Sequence, residues 1–241
     1  MIPRRTCTAL LVSIAAVACA PGSPEVDEVA PASAAEEQDM SAQEGWIALF
    51  DGTSTDAWRG YNREDLPAGW RVVDGALTMV EPGGDIITTE QFESFELELE
   101  WMVREGGNSG IFYRAVETSD PIYYSAPEMQ VLDDARHVDG GSRLTAAGAN
   151  YGLHPAPEGV VRPAGEWNAV RILVNGNHVE HWLNGQKVVE YELGSDDWKQ
   201  RVAASKFNEW PTYGKAERGH IGLQDHGDWV AYRNIRIRVL P

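Results

Sequence analysis

The sequence predicts an all-β protein built as an antiparallel β-sandwich. Apolar and polar residues alternate at a period of two over several segments. Asp-Gly and Asn-Gly pairs punctuate those segments at short intervals, and no long stripe at helical spacing interrupts them. Many short strands in one continuous stretch favour two packed sheets.

The domain is expected to start at Gly45-Trp46 and to run to Pro241 without a linker. In WRVVDGALTMV, 70–80, an Asp-Gly turn joins two short apolar runs. In 95–101, Phe95, Leu97, Leu99 and Trp101 alternate with Glu96, Glu98 and Glu100, a strand with one face buried and one in water. The segment 167–193 carries two Asn-Gly pairs and reads as a three-stranded meander. A short helix is expected within 194–207, capped by Asp196 or Asp197, with Trp198, Val202 and Phe207 facing inward. The Gly-, Ala- and Pro-rich stretch 133–166 reads as a long loop, and loops of that length within a compact domain are often functional. Near the end, GHIGLQDHGDWVAYRNIRIR reads as two strands joined by a hairpin turn. Gln224 and His226 are more than such a turn needs, while Asp225 and Asp228 are credited to closing it.

Residues 1–18 carry Arg4 and Arg5 and then a short apolar run, the pattern of a bacterial secretory signal. Ala16-Val17-Ala18-Cys19 resembles a lipobox, with Ala16 where a larger aliphatic residue is commoner. The same letters fit a plain A-x-A cleavage site. The expectation is an exported protein, in the periplasm or on the outer membrane of a bacterium, lipidated at Cys19 or simply secreted. Residues 19–45 hold seven acidic residues and no basic one, a solvated, disordered linker. Cys7 leaves with the leader and Cys19 stands alone, so the domain must be held by its core rather than by a disulfide.

The formal charge is −17; the leader carries +2 and the linker −7, leaving −12 over 46–241. An acidic domain with no basic stripe excludes nucleic acid as a natural partner, and leaves a membrane only through the lipid anchor. Nine Trp and eight Tyr suit sugar stacking and core packing equally.

Strand parity narrows the search for chemistry. In 126–134, Met129 and Val131 suit the core, which puts Glu128 and Gln130 on the opposite face. In 107–115, Ile111 and Tyr113 inward put Arg114 outward; in 219–226, Ile221 and Leu223 inward put His220, Gln224 and His226 outward. If these strands are neighbours, they form a polar patch suited to a polyhydroxylated ligand. Gly110 and Gly222 on the same face mark close approach of a ligand or another chain segment. There is no G-x-S-x-G elbow, H-E-x-x-H helix or P-loop, and the six histidines lack zinc spacing. No cofactor is expected, and a divalent-metal site built from carbonyls and Asp leaves no mark in sequence.

WIALFDGTSTDAWRGY, FELELEWMV, GGNSGIFYRA, PEMQVLDD, GEWNAVRILVNGNHVEHWLNGQKV and GHIGLQDHGDWVAYRNIRIRVL, in this order, resemble the 3-keto-disaccharide hydrolase domain family over nearly all of 46–241. The resemblance implies a concanavalin-like jelly roll and an enzyme acting on glycosides already oxidised to a ketone at C3. A C3 ketone acidifies the C2 hydrogen, and the aglycone on C1 can then leave by elimination; hydrolysis is the other outcome. Such a site needs a proton acceptor, a proton donor and stabilisation of the enolate oxygen. The related laminarinase-type sandwiches carry Glu-x-Asp-x-x-Glu; here the similar stretch is Glu128-Met-Gln130-Val-Leu-Asp133, and Gln130 cannot titrate. On this resemblance His226 and Glu128 are candidate acid–base groups, and Lys206 or Arg114 would stabilise the enolate. Gln130, Gln224, Asp133 and Asn108 would hold sugar hydroxyls, Trp210 and Tyr213 would stack, and Tyr151 and His154 would close over the ring. A non-catalytic carbohydrate-binding module and a conventional glycosidase are the alternatives.

Overall fold

The computed structural model describes residues 45–118 and 121–241. The leader, the linker and Cys19 lie outside the described residues. Strands β1 (Trp46–Phe50), β3 (Trp70–Val73), β4 (Ala76–Met79), β6 (Phe95–Val103), β9 (Asn168–Asn175), β10 (His178–Leu183), β11 (Gln186–Glu192) and β13 (Val230–Val239) form one antiparallel sheet. Its order is β11-β10-β9-β6-β13-β4-β3, with β1 also paired to β13. The second sheet has the order β2-β5-β12-β7-β8, from β2 (Trp58–Gly60), β5 (Ile86–Thr88), β7 (Asn108–Ala115), β8 (Glu128–Leu132) and β12 (His220–Leu223).

Period-two patterning makes the core. Phe95, Leu97, Leu99, Trp101 and Val103 of β6 are buried with Val170, Ile172 and Val174 of β9, against Ile111, Tyr113, Met129, Val131, Ile221 and Leu223 of the smaller sheet. Each such aliphatic or Phe side chain contributes about 1.5–3 kcal/mol by leaving water. Asp74 and Gly75 both take positive φ, the two-residue turn expected between β3 and β4. The meander is β9-β10-β11; its second turn is Asn184-Gly185, while the first is Gly176-Asn177, one residue later than the Asn-Gly pair. The helix α1 (Asp196–Ala203) is capped by Ser195, whose Oγ accepts from Trp198 N at 3.1 Å, not by Asp196 or Asp197.

Three expectations fail, one because of the sheet topology and two because of a register shift. Residues 224–229 are no hairpin turn, because β12 and β13 lie in different sheets and the segment crosses between them. Arg114 is not on the outward face. β12 pairs with β7 as His220 to Ala115 and Gly222 to Phe112, so Tyr113 and Arg114 oppose only Ile221. This is a bulge, with Arg114 at φ 53°. Its buried guanidinium donates to Glu93 O at 3.0 Å and to Gly176 O at 2.6 Å, the latter in the β9–β10 turn of the other sheet. Arg114 therefore ties the sheets together. His220, past the same bulge, is buried with Nδ1 2.7 Å from Thr88 O.

Arg114→Met is expected to lower the unfolding free energy by about 2–3 kcal/mol, because two carbonyls lose a charged donor. A urea midpoint shifted downward checks it, with ligand binding at 25 °C unchanged.

Candidate active site

The outward face of the five-stranded sheet carries the candidate site. Leu223 pairs with Ile86, so one step further the register sets Gln224 beside Asp85. Gln224 N donates to Gly110 O at 3.0 Å, and Gly110 pairs with Gln130. Asp85, Gln224, Gly110 and Gln130 thus form one row across four strands. In the next row Ile87, Gly222, Phe112 and Glu128 follow each other. Glu128 folds back over Gly110: a Cβ built there would lie 2.0 Å from Glu128 Oε1. Only glycine leaves room for that carboxyl.

Loops build walls around this floor. The stretch 133–166 supplies Asp139 and Tyr151, the 3-10 turn Ile122–Tyr124 supplies Tyr123, and the crossover supplies Asp225 and His226. The 3-10 turn Lys206–Glu209 supplies Lys206 and Phe207. The cavity between them is about 320 Å³ and open on one side. Parallel rings brace one wall: Tyr191 stacks on Trp198 (5.2 Å), Trp198 on Tyr213 (5.8 Å) and Tyr213 on Phe207 (4.1 Å), which holds the turn bearing Lys206.

Of the sequence-derived site residues, Glu128, Gln130, Asn108, Lys206, Gln224, His226 and Tyr151 line this cavity. Arg114 does not, for the reason given. Asp133 does not either: its buried carboxylate accepts from Gly106 N (2.8 Å) and Ala135 N (3.2 Å), closing the turns beside β7 and β8. His154 packs face to face with Tyr191 at 4.6 Å and does not close over the cavity. Tyr213 belongs to the buried ring column, and Trp210 stacks on Tyr124 at 4.2 Å. Five lining residues escaped sequence reading as site residues: Asp85, Tyr123, Asp139, Phe207 and Asp225. Asp85 and Asp139 sit beside glycine pairs and read as turn residues. Asp225 has the look of a turn residue too, yet it clamps a different turn, accepting from Gly83 N (2.6 Å) and Gly84 N (2.8 Å).

The floor is buried and unpaired. Gln130 is 1 % exposed, and neither its Oε1 nor its Nε2 has a hydrogen-bond partner among the described residues. Asn108 Oδ1 is in the same condition. Each such atom costs about 1–3 kcal/mol unless a ligand or water meets it. Burial pushes the Glu128 carboxyl up to about 8, the charges of Asp85 and Asp139 add to the rise, and Lys206 opposes it. Burial, with the Asp225 charge, pushes Asp85 up to about 6, against the hydrogen bond from the Asp225 N–H. At neutral pH the site holds a protonated Glu128 beside a mostly ionised Asp85.

The larger sheet has a concavity too, about 680 Å³, but its charged groups are paired. Arg171 pairs with Glu96 (2.6 Å) and Arg236 with Glu98 (2.6 Å). Arg171 covers Trp182 at 4.4 Å and Arg236 covers Trp46 at 4.5 Å, so those ring faces are taken. The converging donor atoms of His178, Glu180 and Glu190 also lie on that sheet, where Lys187 already bridges the two carboxylates at 3.1 and 2.5 Å.

A model of the 3-keto-alpha-glucoside-1,2-lyase-like domain matches residues 45–238. The chain belongs to this family. The 3-keto-disaccharide hydrolase of Bacteroides thetaiotaomicron is 39 % identical over 229 residues, covering 82 % of this chain and 79 % of the relative. Two proteins of Parabacteroides distasonis classed as glycosyl hydrolases have similar structures. One has a TM-score of 0.77 at 32 % identity, covering 86 % of this chain and 97 % of the other. The second has a TM-score of 0.63 at 35 % identity, covering 81 % and 99 %. A Bacillus subtilis protein with a galectin-like fold, at 14 % identity and a TM-score of 0.50, shares the sandwich alone. The fold is the expected concanavalin-like sandwich, and membership of the lyase-like family supports an enzyme acting on glycosides.

Glu128 costs this family member stability. Its folded value lies above the unfolded value, so the folded state binds the extra proton between about pH 4.5 and 8 and loses stability as pH rises through that window. Glu128→Gln is therefore expected to be more stable than the parent by on the order of 2–3 kcal/mol at pH 7. The difference should shrink toward zero at pH 4, read from paired denaturation curves.

Proposed function

We propose that the protein is an exported bacterial enzyme that cleaves 3-keto-glycosides, 3-keto-disaccharides among them, by elimination across C1–C2 through an enolate. The observation that carries this reading is the buried Glu128 carboxyl, free of hydrogen bonds to other described residues, above a floor of unpaired amides. A standard double displacement needs a matched pair of carboxylates. On β8 and its end, Gln130 replaces one and Asp133 is turned into the structure, which favours a different use of Glu128.

The roles follow from position. Gln130, Gln224 and Asn108 meet sugar hydroxyls, in a cavity sized for about one ring system. Tyr151 covers the ring. Lys206 is the one Lys or Arg among the lining residues, with Nζ 4.6 Å from the Tyr151 ring centre, and it draws the C3 oxygen and stabilises the enolate. Glu128 gives its proton to the glycosidic oxygen on C1 as that bond breaks. His226 stands half exposed at the mouth, its Nδ1 3.7 Å from Asp228. From there it activates a water that re-adds to the C1=C2 bond, which turns elimination into net hydrolysis. The leader and lipobox-like residues of the sequence support export, with 19–45 as the tether.

Aglycone should be released from a 3-keto-glucoside and not from the unoxidised glucoside, with an unsaturated 3-keto sugar detected by mass before water adds. Glu128→Gln should lower kcat by about 10²–10⁴-fold. Unchanged kcat/KM in both Glu128→Ala and His226→Ala would place the chemistry elsewhere, and tight sugar binding without turnover would make this a carbohydrate-binding module.

Lys206→Met should lower kcat more than it raises KM, since the charge it meets develops only in the transition state. Equal effects on the two constants would assign Lys206 to substrate binding alone.

A further inference from the structure

Elimination needs an acceptor for the C2 hydrogen as well as a donor for the leaving oxygen. We propose that Asp85 is that acceptor, working with Glu128, whose carboxyl lies over Gly110 in the row that starts at Asp85 and passes through Gln224. The assignment rests on the elimination reading above.

Asp85 is held as a positioned base should be. It lies one residue before β5, and Ile86 behind it faces the core while Ile87 packs on the outer face, which places Asp85 on the cavity side. Asp225 accepts from Gly83 N and Gly84 N with one oxygen, anchoring the turn that delivers Asp85. The Asp225 N–H then donates to Asp85 Oδ1 at 2.8 Å. Asp85 Oδ2 has no hydrogen-bond partner among the described residues and is left for a substrate.

Asp225 is committed to the backbone, and Asp139 already has a partner on the loop side. Asp225 accepts three backbone N–H groups, the third from Gly227 at 2.8 Å. Asp139 accepts from the Tyr151 hydroxyl at 3.4 Å on the loop side. The charged and titratable groups sharing the space with Asp85 are Asp225 beside it, Glu128, Asp139 and Lys206, the phenols Tyr123 and Tyr151, and His226 at the mouth. Burial and the negative neighbour make Asp85 more basic than an ordinary carboxylate while leaving it mostly ionised at neutral pH.

The step balances. Asp85 takes the C2 proton, and the C–H electron pair passes into the enolate, its charge on the C3 oxygen beside Lys206. The enolate then returns that pair to form C1=C2, and the C1–O bond breaks onto the aglycone oxygen, which receives the Glu128 proton. Exchange with solvent restores an ionised Asp85 and a protonated Glu128.

The half-reaction at C2 can be isolated with a 3-keto-1,5-anhydroglucitol, which has no leaving group at C1. In D₂O the wild-type protein should exchange its C2 hydrogen, followed by proton NMR. Asp85→Asn keeps an acceptor for the Asp225 N–H and should lower exchange by about 10²-fold or more. Glu128→Gln should lose aglycone release from a 3-keto-glucoside, and its exchange should fall less than that of Asp85→Asn. Added formate should restore exchange to Asp85→Ala, an effect that a merely structural role would not produce. Exchange at the wild-type rate in Asp85→Asn, or an Asp85→Ala insensitive to formate, overturns the assignment. Absence of both exchange and release in the wild-type protein overturns the elimination reading and the assignment with it.

Discussion

The site depends on one close approach: the carboxyl of Glu128 lying where the side chain of residue 110 would be. That position takes Glu128 out of water and away from every hydrogen-bond partner on its own strand. Burial then keeps the proton on the carboxyl at neutral pH. The rest of the arrangement follows from the register. The β7–β8 pairing sets Gly110 opposite Gln130 and Phe112 opposite Glu128, and the β12–β5 pairing brings Asp85 to the far end of the same row. A slip of one residue in either pairing would turn these groups into the core.

The two sheets treat their outer faces in opposite ways. On the larger sheet, carboxylates pair with guanidiniums that cover indoles, and Arg238 Nε is the buried atom of that network left without a partner among the described residues. On the smaller sheet, amides and a carboxyl are buried without partners under walls made by loops. The first pattern is what solubility and sheet stability ask for. The second carries a cost that a ligand would offset, which is why the smaller cavity is the candidate site. Arg114 shows the dependence between the two: it leaves the site by a bulge and instead fastens the site's sheet to the β9–β10 turn.

Much of this was legible in the sequence because a period of two reports faces directly. Glu128, Gln130 and Gln224 were placed by parity alone. Parity failed at Arg114 because a bulge adds a residue that no local signal in GNSGIFYRA announces. It also failed to reveal that 224–229 changes sheets, since a crossover and a hairpin turn use the same Asp and Gly residues. Asp133 was misjudged because a carboxylate that accepts backbone N–H groups looks in sequence like one that awaits a ligand. Asp85 was invisible for a different reason. Its neighbours in the row come from β12 and β7, and its own Pro-Gly-Gly approach reads as an ordinary turn. The family resemblance added Lys206, Asn108 and Tyr151, which no periodicity could supply.

The protonation state of Glu128 is the claim on which the account turns. Carbon-13 NMR of the side-chain carboxyl of Glu128, in the ligand-free protein with Glu128→Gln as the assignment control, measures it directly. A titration midpoint near pH 8 is the predicted result. A midpoint near the ordinary carboxylate value, about 4.3, would mean that Glu128 is ionised at neutral pH and cannot be the proton donor.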